Sequence, residues 1–342
     1  CEDFRYWRLA YAEPARRWRT PSPPVPRGPN VGRVLQALSG FAIIWSVVAL
    51  GWLLAHTRVV GASGQAFLNK LAFLVASPAL LFSLVASASL SHLFSRTLAA
   101  SVAAIVVSAG VYLALNRLVF RHGLGGATIG WMCAAYTNAG NLGLPIAQHL
   151  LGDMTWMAPI LLLQVGLLQP FGLASLDAAR ARADGVAVSR RGFVTLPFRN
   201  PITVGILLGL LVNLTGAALP EWLTSAVGMV GSMAVPMMLI AFGVSLRLEP
   251  LPGTGPQARE VWTLQALKVL IMPATAVGVG ALLGLARPEL FAVGVIAALP
   301  TAQNIFVIAS RYTESIPVAR DSVFWSTILT VPAILALSLL LG

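Results

Sequence analysis

The strongest constraint in this sequence is a series of continuous apolar blocks, each about 20 residues long, that begins near residue 34. A helix needs roughly 20 apolar residues to cross the ~30 Å hydrocarbon core of a bilayer. The blocks do not alternate apolar and polar residues as the strands of membrane barrels do. The chain is 57% hydrophobic and 10% charged, whereas soluble domains have about 25% charged residues. The sequence therefore predicts an all-α polytopic membrane protein and excludes a soluble enzyme.

These blocks predict ten transmembrane helices, of which the fourth and ninth are the least apolar at their centres. The longest connection, residues 177–200, separates five spans from five. We therefore expect a first repeat at 31–176, a loop at 177–200 and a second repeat at 201–342. The ten spans lie near 34–56, 68–90, 97–120, 126–151, 154–176, 201–219, 221–245, 262–285, 289–312 and 321–341.

Lys and Arg residues predict which side of the membrane each connection occupies. From residue 31 onward, 14 of them lie in or beside the odd-numbered connections and only 3 on the opposite side. Cytoplasmic loops carry the excess of these residues. We therefore expect the 177–200 loop in the cytoplasm and both termini outside the cell membrane. This bias accounts for much of the net charge of +11, and no nucleic-acid partner is expected.

Residues 1–30 differ from the rest of the chain. They contain six arginines and several prolines but no periodic apolar segment. One interpretation is a disordered basic tail. The other is that the segment lies outside the native coding sequence and that translation begins near Val31, because an N-terminus outside the cell would require six arginines to be translocated.

The two halves show signs of an internal repeat. Pro78 and Pro236 are 158 residues apart, and Pro170 and Pro332 are 162 apart. Five spans per repeat is an odd number, so the second copy must enter the membrane from the opposite side. Inverted repeats of this kind are typical of secondary transporters. The sequence thus predicts a 5+5 inverted repeat.

The fourth span contains Asn138, Gly140, Asn141, Gly143 and Pro145 within eight residues. Relative to Ala, Gly costs a helix about 1 kcal/mol and Pro about 3 kcal/mol. We therefore predict two half-helices with an unwound link, the second half starting at Pro145. Irregular backbone at this depth is tolerated only where it is buried in protein or lines a watery cavity.

The ninth span contains a second candidate break. We expect Pro300 to open the half-helix that follows this break. Two half-helix N-termini facing each other would attract an anion. The predicted substrate-binding residues are Asn138, Asn141, Thr301, Gln303 and Asn304, and the predicted residues of the helix breaks are Gly140, Gly143, Pro145 and Pro300. The alternative is that both spans are kinked helices whose amides only join neighbouring helices.

Other kinds of site find little support in the sequence. No Asp or Glu lies in the middle of a predicted span, which argues against a carboxylate that carries a coupling ion and against an intramembrane aspartyl protease. Cys1 and Cys133 lack the spacing of a metal site, and no metal or cofactor is expected. Lys268, one turn inside the eighth span, is predicted to extend its ammonium to the interface.

The segments 138–145 and 299–304, followed by 309–312, resemble the auxin efflux carrier family, in particular its bacterial malate and malonate permeases. The resemblance covers residues 34–342. It implies ten spans in a 5+5 inverted repeat with broken, crossing fourth and ninth helices, and a small carboxylate substrate held at the crossing. It also implies elevator-type alternating access, in which spans one, two, six and seven form a scaffold and a homodimer interface.

The sequence therefore predicts a secondary transporter of small organic anions, such as dicarboxylates or auxin-like carboxylates, in the lipid bilayer, and not an enzyme. A sodium-coupled organic-anion symporter of the bile-acid type is the alternative, because it shares the inverted crossing. Transport that rises with a sodium gradient would favour it.

Overall fold

The computed structural model describes residues 31–88, 95–185 and 200–341. These residues form helices joined by short connections, and none of them belongs to a strand. Residues 1–30, and residues 186–199 of the predicted loop, lie outside the described part. The helices are α1 (Val31–His56), α2 (Ala62–Ala86), α3 (Arg96–Phe120), α4 (Leu124–Ala135), α5 (139–151), α6 (Met154–Ala183), α7 (Pro201–Thr215), α8 (Glu221–Leu248), α9 (Ala258–Leu282), α10 (Arg287–Ala298), α11 (Asn304–Tyr312) and α12 (Ile316–Leu341).

Six of these described helices are long and apolar enough to cross a membrane: α2, α3, α6, α8, α9 and α12. Shorter apolar helices include α4 and α7. Large apolar side chains such as Leu211 and Leu214 are exposed on the outside of the bundle, as expected for a surface that faces lipid. The predicted all-helical class is confirmed. The predicted boundaries need correction at α6, which continues to Ala183, beyond the expected end at residue 176.

Three prolines inside long helices coincide with local widening of the helix. A proline has no N–H group, and its ring clashes with the carbonyl group four residues earlier. In α2, α6 and α9 a π-helical turn of five residues ends two residues before the proline, and its wider spacing lets the helix continue. The turns and their prolines are Ala72–Ala76 with Pro78, Gln164–Leu168 with Pro170, and Leu267–Ile271 with Pro273.

The helices α1, α2, α7 and α8 pack together, and we call them the four-helix group. α1 lies along α8, and α2 lies against α7 and α8. Glycines allow the close approach: a Cβ atom at Gly205 would lie 2.5 Å from the carbonyl oxygen of Pro78, and one at Gly209 would lie 2.6 Å from that of Phe82. Small residues at such positions let helix backbones touch.

Asn213 of α7 strengthens this packing at the end of α2. Its Nδ2 lies 3.0 Å from the carbonyl oxygen of Val85, 3.1 Å from that of Ala86 and 2.8 Å from that of Ala88. The last carbonyl groups of a helix have no partner within the helix. A single amide from α7 therefore caps α2 and joins the two helices.

The remaining helices form a second unit, the eight-helix group, in which α3 packs on α4 and α9, and α10 packs on α9 and α12. The ring of Tyr112 lies so close to Gly130 of α4 that no side chain fits there. The buried carboxylate of Glu260 accepts a hydrogen bond from the Tyr112 hydroxyl at 2.6 Å and lies 2.7 Å from Nε2 of His122. This network ties α9 to α3 and to the connection that leads into α4.

Candidate functional site

Between α4 and α5, residues 136–138 are not helical, and we call them the first link. Helical turns resume at Ala139, so the prediction that Pro145 opens the second segment is wrong. The reason is a cap at Asn138. Its side-chain Oδ1 accepts a hydrogen bond from the N–H of Asn141 at 3.2 Å, and its carbonyl oxygen accepts one from Gly143 at 2.9 Å. Asparagine is a preferred N-cap residue because it satisfies the free N–H groups of the first turn.

Residues 299–303, between α10 and α11, form the second link. Leu299 has an extended backbone, with ψ 145°, because the ring of a following proline disfavours the helical conformation. α10 therefore ends just before it. Pro300 lies within the link, and α11 begins only at Asn304 with Gln303 as its cap. The prediction that Pro300 opens a half-helix is wrong.

The two links are joined to each other by backbone hydrogen bonds. The N–H of Asn138 donates to the carbonyl oxygen of Pro300 at 2.8 Å, and the N–H of Ala302 donates to that of Tyr136 at 3.2 Å. Thr137 and Thr301 thus face each other as an antiparallel pair. Where no water is present, backbone groups outside helices must find protein partners. Each link supplies the partners that the other needs.

Buried hydroxyl groups hold the second link. The N–H of Thr301 donates to Oγ of Ser326 at 3.0 Å, and the Thr301 hydroxyl donates to the carbonyl oxygen of Cys133 at 2.7 Å. The Thr330 hydroxyl donates to the last carbonyl group of α10, at Ala298, at 2.9 Å. Ser326 and Thr330 belong to α12. Thr301 is therefore engaged inside the protein by both its backbone and its side chain.

Two glutamines of α6 hold the first link and its neighbours. In the amide orientation that satisfies both atoms, Gln164 donates to the Thr137 carbonyl oxygen at 3.0 Å and accepts from the Thr137 hydroxyl at 2.6 Å. Oε1 of Gln169 accepts from the Tyr136 hydroxyl at 2.8 Å and from Nδ2 of Asn304 at 3.3 Å. One glutamine therefore braces the first link, and the other joins it to the start of α11.

Some amide groups at the links keep unused hydrogen-bonding capacity. Nδ2 of Asn141 donates to Oε1 of Gln303 at 3.2 Å. Nδ2 of Asn138 and Oδ1 of Asn304 are buried and have no partner among the described residues. A buried polar atom without a partner costs free energy. The Asn138 donor therefore has hydrogen-bonding capacity that the described residues do not use.

A cavity of ≈ 200 Å³ lies beside these amides, between the two helix groups. Its polar wall comes from the links, the starts of α5 and α11, and α6. Its other wall comes from the four-helix group and is apolar apart from Ser77; it includes Phe73, Leu80, Leu84, Ile202, Val235 and Met238. The cavity thus presents amides to one side of a small molecule and hydrocarbon to the other.

The structure brings most, but not all, of the predicted site residues to this cavity. The residues that line it are Asn138, Gly140, Asn141, Gln303 and Asn304. Thr301, Gly143 and Pro300 do not. At Gly143 a Cβ atom would lie 2.9 Å from Cδ1 of Leu299, so this glycine allows α5 to approach the second link.

Sequence reasoning missed Gln164, Gln169 and Tyr136, which also line the cavity. The signal for the glutamines was available, because they are two buried amides five residues apart in an otherwise apolar span. Tyr136 is the first residue of the first link, but nothing in its local sequence distinguishes it from an interfacial aromatic residue. Its position becomes informative only when the fold places its hydroxyl on Gln169.

Several charged residues are buried away from the cavity. Lys268 is 1% exposed, and its Nζ donates to Sδ of Met272 at 3.1 Å. The prediction that it reaches the interface is wrong, because the turn that carries it packs against α3, α4, α10 and α12. Asp321 pairs with Arg320 at 2.6 Å and accepts from the N–H of Gly253 at 2.8 Å. The Asp321 carboxylate thus joins α12 to the connection between α8 and α9.

Comparison with known proteins identifies a family. A family model described as "Membrane transport protein" matches residues 37–176 and 186–338. The two matched parts include both links and every helix that lines the cavity.

Two curated relatives cover most of the chain. A protein of Methanothermobacter thermautotrophicus named "Uncharacterized transporter" is 27% identical over 288 residues, which are 83% of this chain and 91% of the relative. A protein of Rhizobium meliloti named "Putative malonate transporter" is 26% identical over 299 residues, which are 86% of this chain and 92% of the relative. The similarity therefore extends over more than four fifths of this chain in both cases.

Proposed function

The chain belongs to the auxin efflux carrier family of membrane transport proteins, and from this premise we propose that it is a secondary transporter of small organic anions such as dicarboxylates or auxin-like carboxylates. The observation that carries the proposal is the cavity between the two helix groups, where amides of both links converge. The name of the Rhizobium relative mentions malonate. Malonate is therefore the substrate that we would test first.

The chemistry of the polar wall suits a carboxylate. Asn138, Asn141, Gln303 and Asn304 supply amide groups without any charge, and Nδ2 of Asn138 has no partner among the described residues. The first residues of α5 and α11 also line the cavity, so the partial positive charge of two helix N-termini lies beside it. These features stabilise an anion, while the apolar opposite wall accommodates its hydrocarbon part.

The packing supports an inverted repeat of two five-span halves. In such a repeat α1 corresponds to α7, and α2 corresponds to α8. The contact between α1 and α8 therefore corresponds to the contact between α7 and α2. In the same way α3–α4 corresponds to α9–α10 and α4–α6 to α10–α12, and all of these pairs pack together. In this proposal α4 with α5, and α10 with α11, are the broken fourth and ninth helices, which cross at the links.

The position of the cavity supports elevator-type alternating access. The most extensive helix contacts lie within each group, whereas the main contacts between the groups are those of α5 with α1 and of α11 with α2 and α8. The eight-helix group carries the polar wall and would move with the substrate. The four-helix group supplies the apolar wall, along which amides can slide without losing specific partners, and it would serve as the scaffold and as the interface of a homodimer.

The distribution of Lys and Arg supports an orientation in the cell membrane with the 177–200 loop in the cytoplasm and both termini outside. In this orientation the Arg311 end of the cavity, where α11 ends, faces the cytoplasm.

The direct test is uptake of radiolabelled malonate by proteoliposomes that contain the purified protein. We expect saturable uptake by the wild type and loss of most of it in Asn141→Ala and in Asn304→Ala. Gln148→Ala is a matched control, because Gln148 is an exposed amide of α5 that does not line the cavity.

Undiminished malonate uptake by both cavity variants would overturn the site. Absence of uptake of malonate and of a panel of other mono- and dicarboxylates by the wild type would overturn the proposed function. Uptake that requires a sodium gradient would instead favour the sodium-coupled symporter.

A further inference from the structure

Beyond the cavity, Arg311 continues the stripe of residues with which α11 lines it. The residues of this helix that line the cavity are Asn304, Val307 and Ile308. Arg311 lies four residues after Val307 and three after Ile308, and therefore on the same helix face. The rise of a helix places it roughly 10 Å from Asn304 along the axis. Arg311 is exposed and thus stands at one end of the cavity rather than within it.

Contact with Phe73 fixes the position of this arginine relative to the opposite wall. The guanidinium carbon of Arg311 lies 5.9 Å from the centre of the Phe73 ring, within the range of a cation–π interaction. Phe73 belongs to α2 and lines the cavity, and the ring of Tyr312 packs edge-on against it at 6.1 Å. The cation therefore lies at the boundary between the two helix groups.

The charge of Arg311 is not neutralised by an ion pair with any described residue, and residues 186–199 contain no acid. The nearby carboxylate of Asp177 attracts Arg311 and Arg180 electrostatically, but it accepts its hydrogen bond from the Tyr312 hydroxyl at 2.6 Å, and that hydroxyl accepts one from Nδ2 of Asn200 at 3.0 Å. The guanidinium thus keeps hydrogen-bond donors for an incoming anion.

Two further cations lie at the same end of the cavity. Lys70 precedes Phe73 by one turn of α2, and Arg180 follows Asp177 by one turn of α6; both are exposed. With Arg311 they place three cations from three helices around the mouth. Positive charge at the rim of a site raises the local concentration of anions and their rate of binding.

We propose that Arg311 is the entry site for an organic dicarboxylate at the end of the cavity predicted to be cytoplasmic, an inference that rests on the proposed function. Its planar guanidinium binds one carboxylate of the substrate above the Phe73 ring. The anion then passes to the amides of the two links. Because Arg311 is about two turns away from these amides, it acts on substrate capture and not on the step that moves the bound anion.

The test compares malonate uptake by inside-out and right-side-out membrane vesicles that contain Arg311→Gln, Arg311→Lys or the wild type. We expect Arg311→Gln to raise the malonate KM about tenfold on the cytoplasmic face, with kcat there within about twofold of wild type. On the other face KM should stay unchanged and kcat should fall, because the substitution must change kcat/KM equally in both directions. Arg311→Lys should retain most of the affinity. Arg259→Gln is the matched control, because Arg259 is an exposed arginine on the same predicted side and, unlike Arg311, makes no cation–π contact with Phe73.

The outcomes separate this inference from its alternatives. An unchanged KM for Arg311→Gln on both faces, or an equal rise in Arg259→Gln, would overturn it. The same comparison in proteoliposomes of uncharged lipids distinguishes substrate capture from binding of an anionic lipid headgroup. If the difference in malonate KM between Arg311→Gln and the wild type disappears in these proteoliposomes, the residue binds lipid and not substrate. Absence of malonate uptake by the wild type would reject the proposed function itself, and this inference with it.

Discussion

The two links solve the same problem with different partners. Each interrupts a helix in the interior of the protein, and the two exchange backbone hydrogen bonds through Asn138, Pro300, Tyr136 and Ala302. The first link is braced by glutamines of α6 that also line the cavity. The second link is braced by Ser326 and Thr330 of α12, which do not line it.

This difference separates binding from structural support. A change in the glutamine supports alters the cavity wall as well as the fold, whereas a change in the hydroxyl supports alters the fold alone. The second link still reaches the cavity, but only through Gln303 and Asn304 at the start of α11. We therefore expect the amides of both links to matter for transport, and the threonines of the two links to differ in their effect on stability.

The largest expected effect comes from placing a negative charge in the polar wall. Gln303→Glu keeps an acceptor for Nδ2 of Asn141 but should lower malonate uptake at least about 100-fold, because like charges at close range cost several kcal/mol. Asn141→Asp should lose uptake to a similar extent. The measurement is initial uptake in proteoliposomes, with Gln148→Glu as the control of equal charge outside the cavity.

If Gln303→Glu retains more than a tenth of wild-type uptake, the second link does not contact the substrate. If Asn141→Asp alone retains more than a tenth of wild-type uptake, the start of α5 does not contact the substrate.

The second prediction concerns the stability of the two facing threonines. Thr301→Val leaves the Cys133 carbonyl group without its buried donor and should destabilise the protein by about 1–3 kcal/mol. Thr137→Val should cost less, because its partner Gln164 lines the cavity, where water can replace the lost hydroxyl. Thermal unfolding in detergent measures which of the two variants loses more stability. Thr57→Val serves as an exposed control.

An equal or larger loss of stability in Thr137→Val would show that the first link is supported as rigidly as the second. The contrast between the two links would then be wrong.

The third prediction is that Tyr136 and Gln169 act as one unit. Each single change, Tyr136→Phe or Gln169→Leu, removes the same hydrogen bond, so the effects on malonate affinity should not add. We expect a coupling free energy of about 1 kcal/mol from a double-mutant cycle of malonate dissociation constants. Effects that add within about 0.3 kcal/mol would show that the bond between α6 and the first link is not used in binding.

The smallest expected effect distinguishes two glycines of α5. A methyl group at Gly140 would lie no closer than 3.8 Å to Leu161, so Gly140→Ala should raise stability slightly, by up to about 0.5–1 kcal/mol, through reduced backbone entropy. At Gly143 the methyl group would press on Leu299 of the second link, at 2.9 Å, and the gain should be cancelled. Melting temperatures show which variant is more stable, and a larger rise in Gly143→Ala would contradict the close approach of α5 to the second link.

The sequence was most informative where composition and helix-breaking residues coincide. Apolar blocks predicted an all-helical membrane protein, and the segments from Asn138 to Pro145 and from Leu299 to Asn304 predicted where the helices are interrupted. The structure brings Asn138, Asn141, Gln303 and Asn304 to one cavity. Their role in binding a substrate stays a prediction.

What the sequence could not provide depends on three-dimensional partners. Proline propensity suggested that Pro145 and Pro300 start helices, but the Asn138 cap starts α5 earlier, and pairing with the first link keeps Pro300 in extended backbone. The role of Thr301 is set by Ser326, which is 25 residues away in the chain. Lys268 is buried because its turn packs against four helices, a fact that no local pattern contains.

The most direct test of the central claim is equilibrium binding of radiolabelled malonate to purified protein, wild type against Asn138→Asp. The substitution keeps the side-chain oxygen that caps α5 at Asn141 and replaces the buried amide donor, which has no partner among the described residues, with a carboxylate oxygen that repels an anion. We expect saturable binding by the wild type, and no detectable binding by Asn138→Asp under conditions where the variant still shows a cooperative melting transition without ligand. Malonate binding to the variant with wild-type affinity would contradict the claim that amides of the links hold the anion.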